Sequence, residues 1–327
     1  MARESFEDAE VARLLNRAFV PIKVDREERP DVDAFYMDVA LKLNGSGGWP
    51  LTIFAAPDGT PFFTATYVPR RGYGRRAGML ELLPEIERLW NEERQRVLDS
   101  AGSIIDAVEK SQGEGSSQEL PRVGLDEAFS RLQASFDERF GGFGAAPKFP
   151  QPHLLSFLLR NSFPADRGRR ARLIAESTLD HMRAGGIYDH IGFGFHRYAT
   201  DRTWKVPHFE KMLYDQALLI TAYLDAFRRS GNERYARSAR ETVEFVLREM
   251  RASEGAFHSA IDAESEGEEG KYYLWSREEI LEVLPESGEE VADFFHVNEG
   301  GNWTDPVSGE TQPSNILHAD PGRDPEE

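Results

Sequence analysis

Gly185-Gly186-Ile187-Tyr188-Asp189-His190-Ile191-Gly192-Phe193-Gly194-Phe195-His196-Arg197-Tyr198, carried on through Asp201 and Trp204 to Val206-Pro207-His208-Phe209-Glu210-Lys211-Met212-Leu213-Tyr214-Asp215, is the stretch on which the fold turns. It holds a long connection between two segments with helical apolar spacing, 169–184 and 208–229. Upstream, Leu125, Phe129, Leu132, Phe136 and Phe140 recur at helical intervals and predict a helix that Gly141-Gly142 ends. Pro152 opens the next, which runs through Leu159. Downstream, helical patterns cover 233–251 and 277–284. The connections alternate: a long one (141–151), a short one, a long one (185–207), a turn at Gly231-Asn232, and a long one again (253–275). In an array of antiparallel helices alternate connections leave at the same end, so the three long ones are expected on one face. Long connections in compact domains are uncommon and often functional, which directs the search for a site there.

Strand signals nearly vanish from this half, and residues 122–327 read as all-α. Residues 1–110 mix types. A helix is expected over 7–18, with Val11, Leu14, Leu15 and Ala18 on one stripe, and a short strand over 20–24 ending at Asp25. A second helix covers 31–43, and Gly45-Ser46-Gly47-Gly48 breaks it before the strand-like run Leu51-Thr52-Ile53-Phe54. Pro57-Asp58-Gly59 marks a turn into a return strand over 61–68, and 79–110 reads as one long helix. Pro84 fits it only in or near the first turn. Between the halves, Ser111-Gln112-Gly113-Glu114-Gly115-Ser116-Ser117-Gln118 is small and polar with nothing to bury, so 111–121 reads as a linker.

A length of 327 residues fits two such domains. No apolar run has spanning length and Met1-Ala2-Arg3-Glu4 opens no signal peptide, so a cytoplasmic, non-membrane protein is expected. The net charge of −18 argues against nucleic acid or an anionic membrane as a partner. By segment the charge is −4 for 1–110, +2 for 111–250 and −16 for 251–327, so the excess acid is C-terminal. With no cysteine, disulfides, thiolate metal sites and Cys-x-x-Cys redox chemistry are excluded within these residues.

All three long loops combine glycine bends, aromatics and scattered His, Asp and Glu. The first reads Gly141-Gly142-Phe143-Gly144-Ala145-Ala146-Pro147-Lys148-Phe149-Pro150; the third holds Phe257-His258-Ser259-Ala260-Ile261-Asp262-Ala263-Glu264-Ser265-Glu266-Gly267. Such a mixture suits a small-molecule, carbohydrate-type site, where aromatic faces stack on sugar rings and carboxylates or histidines move protons. The catalytic candidates are His196, His208, Glu210, Asp215 and Asp262; Tyr188, Arg197, Tyr198, Trp204 and Glu264 are candidates for substrate binding. Blander readings stand beside them: Glu210 and Lys211 open the helix over 208–229, where an acid is favourable anyway, and His208 caps or edges the core. His190, His196 and His208 lack a metal-ligand spacing, so no metal and no cofactor is expected. Gly192-Phe193-Gly194 follows no strand and is no nucleotide fingerprint, and 264–269 reads as a solvated acidic loop.

Several segments resemble one family. Glu4-Ser5-Phe6-Glu7-Asp8, Lys23-Val24-Asp25-Arg26-Glu27-Glu28-Arg29-Pro30-Asp31 and Gly47-Gly48-Trp49-Pro50-Leu51 are similar to the thioredoxin-like domain of the spermatogenesis-associated protein 20-like family (domain of unknown function 255). Pro147-Lys148-Phe149-Pro150, Gly194-Phe195-His196-Arg197-Tyr198, the run from Val206 to Ala217 and Gly267-Glu268-Glu269-Gly270-Lys271-Tyr272-Tyr273-Leu274-Trp275 resemble its second domain. The resemblance implies an α/β thioredoxin-like domain, incomplete here, followed by a partial (α/α)6 toroid similar to six-hairpin glycosidases and sugar epimerases. It also implies a truncated chain: family members carry a strand and a Cys-x-x-Cys segment before Glu4-Ser5-Phe6-Glu7-Asp8, and their toroid continues beyond Glu327. Without that strand, the segments at 22–25 and 51–54 would be left with unpaired edges and the chain poorly folded on its own. Pro50 resembles the cis-proline of thioredoxin-like folds, so the Trp49–Pro50 bond is expected cis. The activity implied is sugar isomerisation, epimerisation or glycoside hydrolysis. Thiol-redox chemistry in complete relatives and a noncatalytic scaffold for a basic partner are the alternatives.

Overall fold

The computed structural model describes residues 2–74, 77–113, 123–161, 163–305 and 309–323. Two compact units divide the chain, Met1–Glu119 and Leu120–Glu327. Both are largely helical, with few and short strands. Most of the expected linker, 114–121, lies outside the described residues.

In the first unit, helix α1 (Ala9–Ala18) starts where the Asp8 carboxylate accepts the backbone N–H groups of Glu10 and Val11 at 3.0 and 3.1 Å. Helix α2 (Pro30–Asn44) has proline in its first turn and ends at Gly45, whose φ of 69° is left-handed. Strands β1 (Thr52–Ala55) and β2 (Pro61–Ala65) form an antiparallel hairpin with Thr52 opposite Ala65 and Phe54 opposite Phe63. Val11, Phe54, Val68, Met79, Leu83 and Ile86 make its core. The Trp49–Pro50 bond is cis.

Two expectations fail here. The helix foreseen over 79–110 is two, α3 (Met79–Glu92) and α4 (Arg94–Gly113), with Pro84 inside the first. Glu92 and Glu93 place negative charge at the carbonyl end of α3, where the helix dipole opposes it. The strand foreseen over 20–24 forms no ladder among the described residues, with Val20 86% and Ile22 78% exposed. An extended segment becomes a strand only when a neighbour takes its N–H and C=O groups, and β1 pairs with β2 alone.

The second unit contains α5 (Val123–Ser135), α6 (Pro152–Arg160), α7 (Ala165–Ala184), α8 (Leu213–Ser230), α9 (Glu233–Phe245), α10 (Arg277–Val283) and α11 (Gly288–Phe294). A π-helical turn, Val246–Met250, prolongs α9. The core lies where α6 packs on α7 and α8, and includes Leu155, Leu158, Ile174, Leu179, Leu219 and Tyr223. Each fully buried aliphatic side chain contributes about 2 kcal/mol. Helix α5 stops at Ser135 rather than Phe140, because Phe136 bridges to Phe143 and the Asp137 carboxylate accepts the N–H groups of Arg139 and Phe140. Nor is this half purely α. Two-residue strands stitch its loops: β3 (Tyr198–Ala199), β4 (Pro207–His208), β5 (Lys211–Met212), β6 (Ala260–Ile261), β7 (Glu264–Ser265), β8 (Glu268–Glu269), β9 (Trp303–Thr304) and β10 (Thr311–Gln312). No described helix is long and apolar enough to cross a membrane.

Candidate functional site

The three long loops meet. Lys148 in the first and Ala199 in the second exchange both backbone hydrogen bonds at 2.8 Å. The second folds on itself, β3 against β4 with Tyr198 opposite His208, then continues into β5, which pairs with β6 of the third. This corrects the expected helix start: 208–212 is extended, so Glu210 and Lys211 do not open a helix, and α8 begins at Leu213. Strand partners on two sides claim the backbone groups that a helix would have used.

Two buried ion pairs fasten the loop segments to one another. Lys148 Nζ donates to Asp137 Oδ2 at 2.8 Å and to the Gly141 carbonyl at 2.6 Å, while Arg202 donates to both Asp137 oxygens at 2.6 and 2.9 Å. Burial pushes the Asp137 carboxyl up, but the Arg202 and Lys148 hydrogen bonds outweigh it and leave it below its ordinary value. Lys211 Nζ donates to Asp189 Oδ2 at 2.7 Å and the Phe193 carbonyl at 2.8 Å, between the Phe245 and Tyr273 rings. Burial lowers the Lys211 ammonium from its usual value against the pull of Asp189.

On this frame stands a more open cluster. Tyr198 stacks on Phe149 (4.8 Å between centroids) on one side and on His208 (5.1 Å) on the other, and Phe149 is 44% exposed. His208 Nδ1 lies 2.7 Å from Glu269 Oε1, with Glu210 Oε2 3.8 Å from its Nε2. Arg197 donates to Glu210 Oε2 at 2.7 Å and also bonds Tyr214. Asp215 sits in the first turn of α8, only 8% exposed. Its Oδ2 is the one buried side-chain nitrogen or oxygen among the described residues with no hydrogen-bond partner. Burial raises its pKa to about 7, with Arg197 opposing and Glu210 adding to the rise.

The other sequence candidates lie apart from this cluster or behind it. His196 is enclosed, its Nδ1 2.9 Å from the Phe209 carbonyl and its ring edge-on to Phe209 and Tyr273; burial lowers its pKa to about 3, which keeps it neutral. Asp262 is exposed and accepts the Glu264 N–H at 3.0 Å in a local turn, and Glu264 pairs with Glu269 across the β7–β8 hairpin. Two of the residues expected to bind substrate lie in the interior. Trp204 is fully buried with its Nε1 donating to the Phe140 carbonyl. Tyr188 is buried too, and its hydroxyl donates to Glu241 at 2.6 Å. Sequence reasoning missed Phe149, Glu269 and both buried lysines. A lysine amid apolar loop residues, with an aspartate before a glycine turn, was the available sign of those pairs. No group of three His, Cys, Asp or Glu among the described residues could hold a metal ion.

Residues 1–109 match the family described as a protein of unknown function, DUF255. Spermatogenesis-associated protein 20 of Homo sapiens is 40% identical over 97% of this chain and 44% of its own length. The chain belongs to the spermatogenesis-associated protein 20-like family. Other members are the Rattus norvegicus protein of the same name, 38% identical over 97% of this chain and 43% of its own, and an uncharacterized Caenorhabditis elegans protein, 36% identical over 97% and 46%. The chain thus spans about half the length of the curated family members it matches. Among solved structures, a cellobiose 2-epimerase from Bacillus thermoamylovorans overlaps 46% of this chain and 45% of its own at 14% identity and a TM-score of 0.37. A sugar epimerase from a ruminal bacterium overlaps 52% of each at 16% and 0.36. Likenesses of that degree do not assign a fold.

Proposed function

We propose that the loop face of the second unit binds a small polyhydroxylated, sugar-like molecule and moves protons on it, in a reaction of the isomerase or epimerase type. The observation that carries this reading is Asp215, a buried carboxyl with an unpartnered oxygen and a pKa raised to about 7. A carboxyl is kept in that state at a cost, and a group that titrates near neutrality both takes and returns protons efficiently. Arg197 and Glu210 act directly on it, and the same loops carry the remaining needs of such a substrate. The Phe149 ring, stacked on Tyr198, offers an apolar face to a sugar ring. Arg197, Glu210 and Glu269 supply donors and acceptors for hydroxyl groups.

Isomerisation and epimerisation remove a proton from a carbon next to a carbonyl and return one, which takes two groups able to exchange roles. Asp215 is the first in this reading. His208, oriented by Glu269, is the second. His196 keeps the loop in shape through Phe209.

Loss of substrate C–H signal in deuterated water, followed by NMR over a panel of aldoses, ketoses and N-acylated amino sugars, tests the proposal. Exchange is expected with at least one sugar and is lost in Asp215→Asn. If no sugar exchanges, or the variant exchanges at the parent rate, Asp215 is not the proton-transfer group.

A further inference from the structure

A cavity in the second unit, formed by α7, α8, α9 and residues 319–323, plays no part in the reading above. Four arginines line it: Arg183 from the last turn of α7, Arg234 and Arg237 from the start of α9, and Arg323. The lining holds one carboxylate, Asp180. This is a concentration of positive charge in a chain whose net charge is −18. Guanidinium groups repel one another, and a concave surface focuses their field, so such a gathering is favoured when an anion occupies the centre.

The arginines are held in place by their neighbours. Arg183 Nη2 donates to Glu241 at 3.1 Å and its guanidinium lies over the Tyr188 ring at 4.0 Å. Arg234 Nη1 donates to the Gly322 carbonyl at 2.7 Å, fastening residues 319–323 to α9. Arg323 stacks over Phe294 at 4.8 Å from the exposed rim. Ser238, buried one turn beyond Arg234, donates its hydroxyl to the Arg234 carbonyl at 3.1 Å and lines the cavity floor without a proton to spare. Burial raises the pKa of Asp180 while Arg234 and Tyr235 oppose that rise, and Glu241 answers Arg183 from outside the lining.

We propose that this cavity is a binding site for a small oxyanion, the phosphate or carboxylate group of a metabolite, gripped by Arg183, Arg234, Arg237 and Arg323. Planar guanidinium forks match two oxygens of such a group at once, which gives orientation as well as attraction. The site is separate from the loop cluster and does not depend on the sugar reading.

Isothermal calorimetry on the full chain decides the matter, with inorganic phosphate and citrate titrated separately and sodium chloride at matched ionic strength as the blank. Saturable one-site heat with phosphate, citrate or both is expected, and the preference between them names the oxyanion. Arg237→Gln and Arg323→Gln are each expected to weaken binding about tenfold or more, the loss of one charge-assisted contact. Asp215→Asn is expected to bind as the parent does. Arg323→Gln alters an exposed side chain, so it remains decisive should the Arg237 variant misfold. Heat no greater than the chloride blank for both probes, or parent-like affinity in Arg323→Gln, would overturn the proposal.

Discussion

Replacing Asp215 by asparagine tests the loop site through stability alone, before any substrate is known. The carboxyl rises from an ordinary 3.8 to about 7 because burial disfavours its charged form. The folded state therefore keeps a proton between those values that the unfolded state gives up. Stability from this group is whole below pH 3.8 and is lost as pH rises towards 7, then stays level. At about 1.4 kcal/mol per pH unit the full span is worth about 4 kcal/mol, an upper value because water reaching the side chain reduces it. Asparagine does not titrate, so the effect appears in the difference between parent and variant, where the other carboxylates cancel. Urea unfolding of both proteins from pH 4 to 8.5 measures it. The variant is expected to gain on the parent by about 2–4 kcal/mol across that range. A difference that does not change with pH would show that Asp215 is an ordinary ionised carboxylate and would remove the central support of the proposed function.

Three further outcomes follow from named contacts. Lys148→Met removes one of the Asp137 partners, leaving Arg202 and the N–H groups of Arg139 and Phe140, and is expected to cost about 1.5–3 kcal/mol in urea unfolding; a loss below about 0.5 kcal/mol would mean the pair is dispensable. Gly194→Ala puts a Cβ 2.4 Å from the Phe245 ring at a φ of 78°, so a loss of about 2 kcal/mol or more is expected, read as a lowered thermal midpoint. Phe149→Ala removes a half-exposed ring from the stack on Tyr198: stability should fall by less than about 1 kcal/mol, while affinity for any sugar that shows exchange falls about tenfold.

Periodicity made most of the helices readable, because an apolar stripe such as that of 169–184 repeats over several turns. The loop strands were not readable in the same way. A ladder of two residues, such as Tyr198–Ala199 on Pro207–His208, has no period, and its partner is fixed by where the helices deliver the chain. That is why 208–212 looked helical and is extended. Trp204 shows a second kind of failure. An aromatic in a polar loop reads as exposed, yet a Cβ at Gly142 would lie 2.5 Å from its ring and one at Gly185 2.8 Å from its own Cβ. Residues far apart in sequence thus clear a socket that no local pattern reveals. Among the candidate acids, Asp215 was visible by type and position, but an oxygen left without a partner belongs to the packed structure.

The two buried lysine–aspartate pairs bear on how the loop face meets a ligand. Lys148 and Lys211 each tie a loop to a carboxylate and a backbone carbonyl in one geometry, and opening either loop means parting charges inside the protein. Loop amides near them should therefore exchange hydrogen as slowly as those of the flanking helices, against the usual behaviour of connections so long. A surface ordered beforehand asks little ordering of its guest, so even a small and weakly interacting molecule keeps most of its contact energy as affinity.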